Sequence, residues 1–259
     1  LQGKYAGVVG GADATQATPG HGSGEPEDEF APVLPGRGGS DYERYLRTDE
    51  LLDLQKTPEE AAHRDELLFQ TVHQSSELWL KLAWSEVEEA TKLIRERDVA
   101  AALRLLRRSN DCLKIVVSLL DMLEEMSPWE YTRFIRPVLG HGSGFDSPGF
   151  RRIRELSPDL GQAFHELRRE QGLDLVELYQ RGREYEELYQ LAEALIEWDE
   201  RVSFWRMRHY LVVARVIGDS VVGTQGTPVE LLSGLIKNRM YPELWQARNE
   251  LTEAAKKED

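Results

Sequence analysis

The sequence predicts an all-α protein, and three observations carry that prediction. From Tyr42 onward, apolar residues recur at steps of three and four, the period of a helix that buries one face. No run shows the alternation of a half-buried strand, and no hairpin signal joins two apolar runs. Helix-start chemistry recurs as well, in Thr57-Pro-Glu-Glu60 and Ser127-Pro-Trp-Glu130, where a capping hydroxyl precedes a proline whose missing N–H costs nothing in a first turn.

Residues 1–41 read as a Gly/Pro-rich N-terminal arm, because ten of the 21 glycines and four of the 11 prolines fall in the first 40 residues without an apolar period. Residues 42–259 read as a single all-α domain. Asp49 to Gln55 is a short amphipathic stretch. A helix is expected from about 59 to 95, with Leu68, Val72, Trp79, Leu82 and Ala83 as its apolar stripe. The next, from about 99 to 126, carries Leu103, Leu106, Leu113, Val116, Val117, Leu120 and Met126 and is apolar nearly all round its second half, which predicts a central position. Ser127 restarts a helix running to about Leu139. The stretch Gly140 to Gly149 is too rich in glycine for a helix. Helices are then expected at 150–156, 159–171, 173–181 and 182–217, with a loop from Gly218 to Thr227 and two last helices at 228–240 and 242–257.

Composition excludes several classes. The chain has 259 residues, a formal net charge of −14, and basic runs at helical spacing, so a phosphate-binding surface for nucleic acid is not expected. No apolar stretch approaches the roughly 18 residues a membrane helix needs, and no apolar core follows a basic N-terminus as in a signal peptide. The single cysteine, Cys112, sits in an apolar helical context, which points to a small core residue in a reducing cytoplasm. One cysteine also rules out a thiolate zinc or iron–sulfur site within one chain.

Of the six histidines, only His73 and His209 lie on helices in apolar company. His209 shares a face with Val202, Trp205, Val212, Val213 and Val216. An imidazole there loses water and needs a hydrogen-bond partner or a metal. Phe69, His73, Ser76 and Leu80 follow steps of four, three and four, so an aromatic ring stands one turn before a polar group. No His-Glu-x-x-His or repeated Glu-x-x-His occurs. A lone helical histidine facing an apolar cavity is how a haem iron is held on its proximal side. The residues alone allow that reading and equally allow a core histidine satisfied by a neighbouring carbonyl.

Four segments together resemble the tryptophan 2,3-dioxygenase family of helical haem oxygenases. They are Tyr42-Glu-Arg-Tyr-Leu-Arg-Thr-Asp-Glu-Leu-Leu52; Asp65 to Lys81, with His73-Gln-Ser-Ser-Glu-Leu-Trp79 at its centre; Arg136-Pro-Val-Leu-Gly-His-Gly-Ser-Gly-Phe-Asp-Ser147; and Trp205-Arg-Met-Arg-His209 running on to Gly223-Thr224. Tyr241-Pro-Glu-Leu-Trp245 is also similar. The resemblance implies haem b as cofactor, O₂ as co-substrate, and L-tryptophan or a close derivative opened to N-formylkynurenine. It implies that His209 is the proximal iron ligand and that His73 is the catalytic histidine hydrogen-bonding the indole N–H. It further implies Phe69 and Leu139 as pocket walls, Arg136 on the substrate carboxylate, Thr224 beside the ammonium and carboxylate, and Ser143 as the loop residue near the haem. Tyr42 and Tyr45 match tyrosines that reach over from a neighbouring subunit, so a homotetramer is implied too.

Two loops depart from the family pattern. Ser143-Gly-Phe-Asp-Ser-Pro-Gly-Phe-Arg151 stands for Ser-Gly-Phe-Gln-Ser-x-Gln-Phe-Arg, and Gly223-Thr-Gln-Gly-Thr-Pro-Val229 stands for a Gly-Thr-Gly-Gly run. The spacings from Tyr131 to Arg136 and from His209 to Thr224 are each one residue longer than usual. The iron and indole contacts are therefore expected to be intact and the amino-acid end of the site altered. An alternative outcome follows, insertion of one oxygen atom to give a 2-oxindole from tryptophan or β-methyltryptophan. A haem-binding scaffold without turnover has no use for the retained Arg136.

Overall fold

The computed structural model describes residues 31–258. Most of the expected arm, and with it His21, lies outside the described residues. The described residues are all-α, with one isolated bridge between Val222 and Pro228. No helix among them is long and apolar enough to cross a membrane. The described residues divide into two compact units, the first ending at Leu54 and the second starting at Gln55.

In the first unit, α1 (Asp41–Leu46) is capped by Ser40, whose hydroxyl accepts the Glu43 N–H. α2 (Thr48–Leu52) follows across Arg47, which takes a left-handed φ of 54° to turn the chain. Arg44 holds the preceding stretch by donating to the carbonyls of Leu34 and Gly38.

The second unit is built on four long helices: α3 (Asp65–Arg95), α4 (Val99–Leu123), α7 (Pro148–Glu170) and α9 (Glu186–Ile217). α4 packs between α3 and α9, and α7 packs on α3. As its composition predicts, α4 is central: Leu106, Leu113 and Val116 are fully buried. Between α4 and α7 the chain makes α5 (Pro128–Glu130), a π-helical turn over Tyr131–Ile135 and α6 (Arg136–Val138). A π-turn takes in one more residue than an α-turn, and this one leads directly into Arg136.

Several expectations are corrected. Thr57 does not start α3. Glu60 reaches back to the Thr57 N–H and closes one turn, and then the Glu66 carboxylate draws in the Ala62 N–H and the Lys56 ammonium, so the helix begins at Asp65. Trp79 and Leu82 are exposed, and the buried face of α3 is Val72, Leu80, Ala83, Val87, Ala90 and Ile94. The expected break near residue 157 is absent, and α7 runs straight through Pro158. Tertiary bonds hold that proline in line: Ser157 Oγ donates to Ile153 O and accepts from Trp198 Nε1, while the Tyr241 hydroxyl donates to Ser157 O.

α8 (Leu175–Gln180) precedes α9. The helix expected at 228–240 is only α10 (Glu230–Leu235), because the chain beyond it is bonded to α9 instead. Asp199 accepts the Met240 and Tyr241 N–H groups and the Trp245 indole N–H, and Arg206 donates to Asn238 O. α11 (Pro242–Glu258) then closes the unit, with Tyr241 and Leu244 buried at its start.

Asp199 is fully buried, and its three donors, one buried and two part-buried, all converge on its Oδ2. Asp199→Ala is expected to lower unfolding stability by roughly 3 kcal/mol, the penalty for stranding buried donors. Asp199→Asn keeps an acceptor and should lose less than half of that. A denaturant midpoint that does not move in Asp199→Ala, at unchanged m-value, would remove this carboxylate from the framework.

Candidate functional site

A cavity of about 550 Å³ lies within the second unit, walled by α3, the end of α4, the π-turn, α6, α7, α9 and two loops. That volume is typical of a small-molecule or cofactor pocket. Seven of the residues singled out from sequence line it together: Phe69, His73, Arg136, Leu139, Ser143, His209 and Thr224. Tyr42 and Tyr45 belong to the first unit, where α1 leaves them 69% and 78% exposed.

α9 supplies His209 with the apolar face its period predicts; Val202, Val212 and Val216 are all buried. The imidazole stacks on Trp205, with ring centroids 4.9 Å apart and planes within 11°. Among the described residues no protein group hydrogen-bonds it, so a satisfying carbonyl is not what holds this ring. What surface it retains faces the cavity. Burial, and secondarily the nearby His73, push its pKa down to about 4, which keeps the ring neutral with a lone pair to offer. Gly144 meets the same ring: a Cβ there would stand 3.5 Å from His209 Nε2, so the glycine-rich loop lies against that nitrogen.

His73 faces the cavity from α3. Its Nδ1–H donates to Phe69 O at 2.7 Å, and Phe69 stacks on it at a centroid distance of 4.0 Å. With Nδ1 committed as a donor, Nε2 is left as the acceptor. Burial lowers the His73 pKa, against the opposing effects of the Phe69 carbonyl and the Glu77 charge. Tyr131 extends the aromatic wall, 6.1 Å from Phe69. The cavity thus holds two neutral imidazoles on different helices, one fixed by a backbone carbonyl and one without a protein partner among the described residues.

The loop residues meet at the rim. Arg136 Nη2 donates to Val222 O at 2.5 Å, and Thr224 Oγ1 donates to Gly142 O at 2.5 Å. Ser143 caps a short 3₁₀ turn, Gly144–Asp146: its hydroxyl accepts the Phe145 N–H, and the Asp146 carboxylate accepts the Ser143 N–H.

Sequence reasoning missed three contributors. Glu77 lies one turn after His73 and accepts from Ser147 Oγ at 2.5 Å and Gly149 N–H at 2.9 Å, pinning the start of α7 to α3. Gly149 makes that docking possible, since a Cβ would come within 2.6 Å of Leu80 Cβ. The four-residue spacing of Glu77 from His73 was the available signal. Arg154 and Arg206 also line the cavity, and neither is ion-paired with a carboxylate among the described residues. Burial lowers the Arg206 pKa, with the Arg154 and Arg239 charges adding to it and Asp199 opposing. Two guanidiniums so placed suit an anionic ligand group. The third contributor is the Asp146–Gln225 pair, in which Gln225 Nε2 donates to Asp146 Oδ2 at 2.7 Å.

Outside the cavity, His63, Asp65 and Glu130 bring possible metal-ligating atoms within 4.8 Å of one another. The Asp65 N–H already donates to His63 Nδ1, so the neutral ring carries its proton on Nε2, which faces Glu130 at 3.7 Å. Ligation through Nε2 would require that arrangement to be broken.

Comparison with known proteins agrees with this picture. Residues 31–166 match the family model described as tryptophan 2,3-dioxygenase, a span that contains Phe69, His73, Arg136, Leu139 and Ser143. The chain is 34% identical to the tryptophan 2,3-dioxygenase of Caulobacter vibrioides, over 81% of this chain and 98% of that protein. It is 32% identical to that of Pseudomonas aeruginosa, over 81% of this chain and 89% of the relative. With that of Bacillus thuringiensis the identity is 30%, over 81% and 92%.

The depressed His209 pKa predicts a pH dependence in the cofactor-free protein. An unfolded histidine gains its proton below about 6.5, whereas the folded ring stays neutral until about 4. Between those values the unfolded state binds more protons, so stability is fully present above pH 6.5 and falls as pH drops toward 4. Relative to His209→Leu, the wild type should lose unfolding free energy over that window and none above it. Parallel stability–pH curves for the two proteins would show that His209 is not held neutral by burial.

Proposed function

Because the chain belongs to the tryptophan 2,3-dioxygenase family, we propose that it is a haem-dependent oxygenase acting on the indole ring of L-tryptophan or a close derivative. The observation that carries the reading is a cavity that joins a neutral, unbonded imidazole on α9 to a second imidazole and an aromatic wall on α3. The residues fit haem. Apolar walls suit the porphyrin, the His209 lone pair suits its iron, and the guanidiniums of Arg154 and Arg206 suit its carboxylates. When bound, haem supplies the iron that activates O₂.

The chain's own residues do the rest by positioning. Phe69 and Tyr131 flank a planar ring. His73 Nε2, left as an acceptor by the Phe69 carbonyl, takes the indole N–H and is available to receive its proton. Arg136 offers its fork to the substrate carboxylate, and Thr224 adds a hydroxyl beside it. The favoured product is N-formylkynurenine. A second reading, insertion of one oxygen atom to a 2-oxindole, draws on the rebuilt rim, where Asp146 and Gln225 bond to each other at the amino-acid end of the site. Assembly as a homotetramer, with Tyr42 and Tyr45 reaching a neighbouring subunit, is part of the same proposal.

The test is the mass of the product formed from tryptophan and from β-methyltryptophan under ¹⁸O₂. Two labelled atoms support the dioxygenase reading, one supports the oxindole reading, and no labelled product from either substrate sinks both. His209→Ala is expected to lose haem or its Soret band. His73→Ala should keep haem and still bind CO, with turnover lower by about 10- to 1,000-fold, because a positioning hydrogen bond disappears while no nucleophile does. Loss of haem from His73→Ala would instead make His73 an iron ligand and end the oxygenase reading.

A further inference from the structure

We propose that Asp146 and Gln225 form a latch that holds Thr224 in register at the cavity rim while its hydroxyl exchanges a backbone partner for substrate; the identity of that substrate rests on the function proposed above. Residues 221–229 form a flap with its own internal bonds. Val229 N–H donates to Val221 O, Gly223 N–H to Thr227 O, and Gly226 N–H to Gly223 O, with Gly226 at a φ of +78° closing the turn. Bonded in this way, the flap is held together as a unit.

Three hydrogen bonds tie the flap to the facing segment, and they succeed one another along it. Val222 O accepts from Arg136, Thr224 Oγ1 donates to Gly142 O, and Gln225 Nε2 donates to Asp146 Oδ2. They are not equivalent once a carboxylate enters. Arg136 has further N–H groups to offer and can keep Val222 while binding an anion. The Thr224 hydroxyl has one proton, so donating it to a carboxylate breaks the bond to Gly142. At that moment the bond adjacent to Thr224 is the one from Gln225 to Asp146.

The acceptor end of the latch is itself anchored. Asp146 Oδ2 also takes the Ser143 N–H, which fixes the carboxylate in the 3₁₀ turn. The residues just after it, Ser147 and Gly149, are pinned to α3 by Glu77. The flap is thereby referred, through one side-chain pair, to the helix that carries His73. Asp146 and Gln225 are positioning residues in this account, Gln225 at the cavity lining and Asp146 behind it.

The experiment uses the haem-loaded full chain with four proteins: wild type, Gln225→Ala, Gln225→Glu, and the exchanged pair Asp146→Asn with Gln225→Glu. Gln225→Glu opposes two carboxylates. The exchanged pair restores a donor facing an acceptor, and the amide oxygen introduced by Asp146→Asn can still accept the Ser143 N–H. Hydrogen exchange at the Gly223, Gly226 and Val229 amides is expected to quicken about three- to tenfold in both single variants, the range one hydrogen bond supports. KM for tryptophan should rise over a similar range with a smaller change in kcat, and the exchanged pair should return both readouts toward wild type. Wild-type exchange rates in Gln225→Glu, an exchanged pair that fails to rescue, or an unchanged KM despite faster exchange each overturn the proposal. A wild type that leaves tryptophan untouched, with exchange rates and rescue as expected, refutes the substrate and leaves the latch standing.

Discussion

The angular setting of α9 is the constraint on which the site depends, and two polar clusters fix it from opposite sides. Near its middle, buried Asp199 collects the N–H groups of Met240, Tyr241 and Trp245 and so ties α9 to the start of α11. Further along, Arg208 is bound to Asp121 and Glu124 of α4, with Arg215 joining Glu124 one face-repeat later. These bonds hold the Glu124 carboxyl below its usual pKa, with Arg208 as the main cause. Each residue along a helix turns the direction of its side chain by about 100°. A slip of one residue would therefore carry Arg208 toward the cavity and His209 away from it. The two clusters forbid that slip, because it would strand a buried carboxylate at one end and break the ion pairs at the other.

With α9 set, the cavity's chemistry follows from what is kept uncharged. Burial depresses the pKa of both His73 and His209, and the His73 ring further disfavours a charge on His209. A neutral ring keeps a lone pair; a protonated one does not. The Phe69 carbonyl decides which nitrogen of His73 keeps it, while His209 keeps one without direction from any protein group among the described residues. The same walls that disfavour charge on the imidazoles raise the cost of leaving Arg206 without an anion, since its charge is partly stripped of water and repelled by Arg154 and Arg239. In the proposed function that tension is relieved by the haem carboxylates.

Much of this was legible in the sequence, for a physical reason. Helical period is a local property, so the central place of α4, the shared face of Phe69, His73, Ser76 and Leu80, and the apolar company of His209 could all be read from spacing. What spacing could not show was which bonds form between distant segments. Pro158 reads as a break until Tyr241 and Trp198 are seen to grip Ser157 beside it. Thr57 reads as a cap until Glu66 claims the chain three residues before the helix begins. Trp79 and Leu82 fit an apolar stripe that the packing of α7 and α4 turns instead toward Leu80 and Ala83. Glu77 was within the quoted segment, yet its role depends on the Ser147 and Gly149 groups seventy residues away.

The site also divides between helix and loop in what holds its side chains in place. The imidazoles and Phe69 sit on α3 and α9, where a change of one residue in length would rotate every side chain beyond it. The chain before Arg136 instead makes a π-turn, whose Tyr131 stands 6.1 Å from Phe69 in the cavity wall. The rim loops are held by a few specific hydrogen bonds, Arg136 to Val222 O and Thr224 to Gly142 O among them. Asp146 and Gln225 add a side-chain pair there, meeting at 2.7 Å. In the proposed function these rim bonds set the fit to the substrate's amino-acid end, while α3 and α9 carry the two imidazoles.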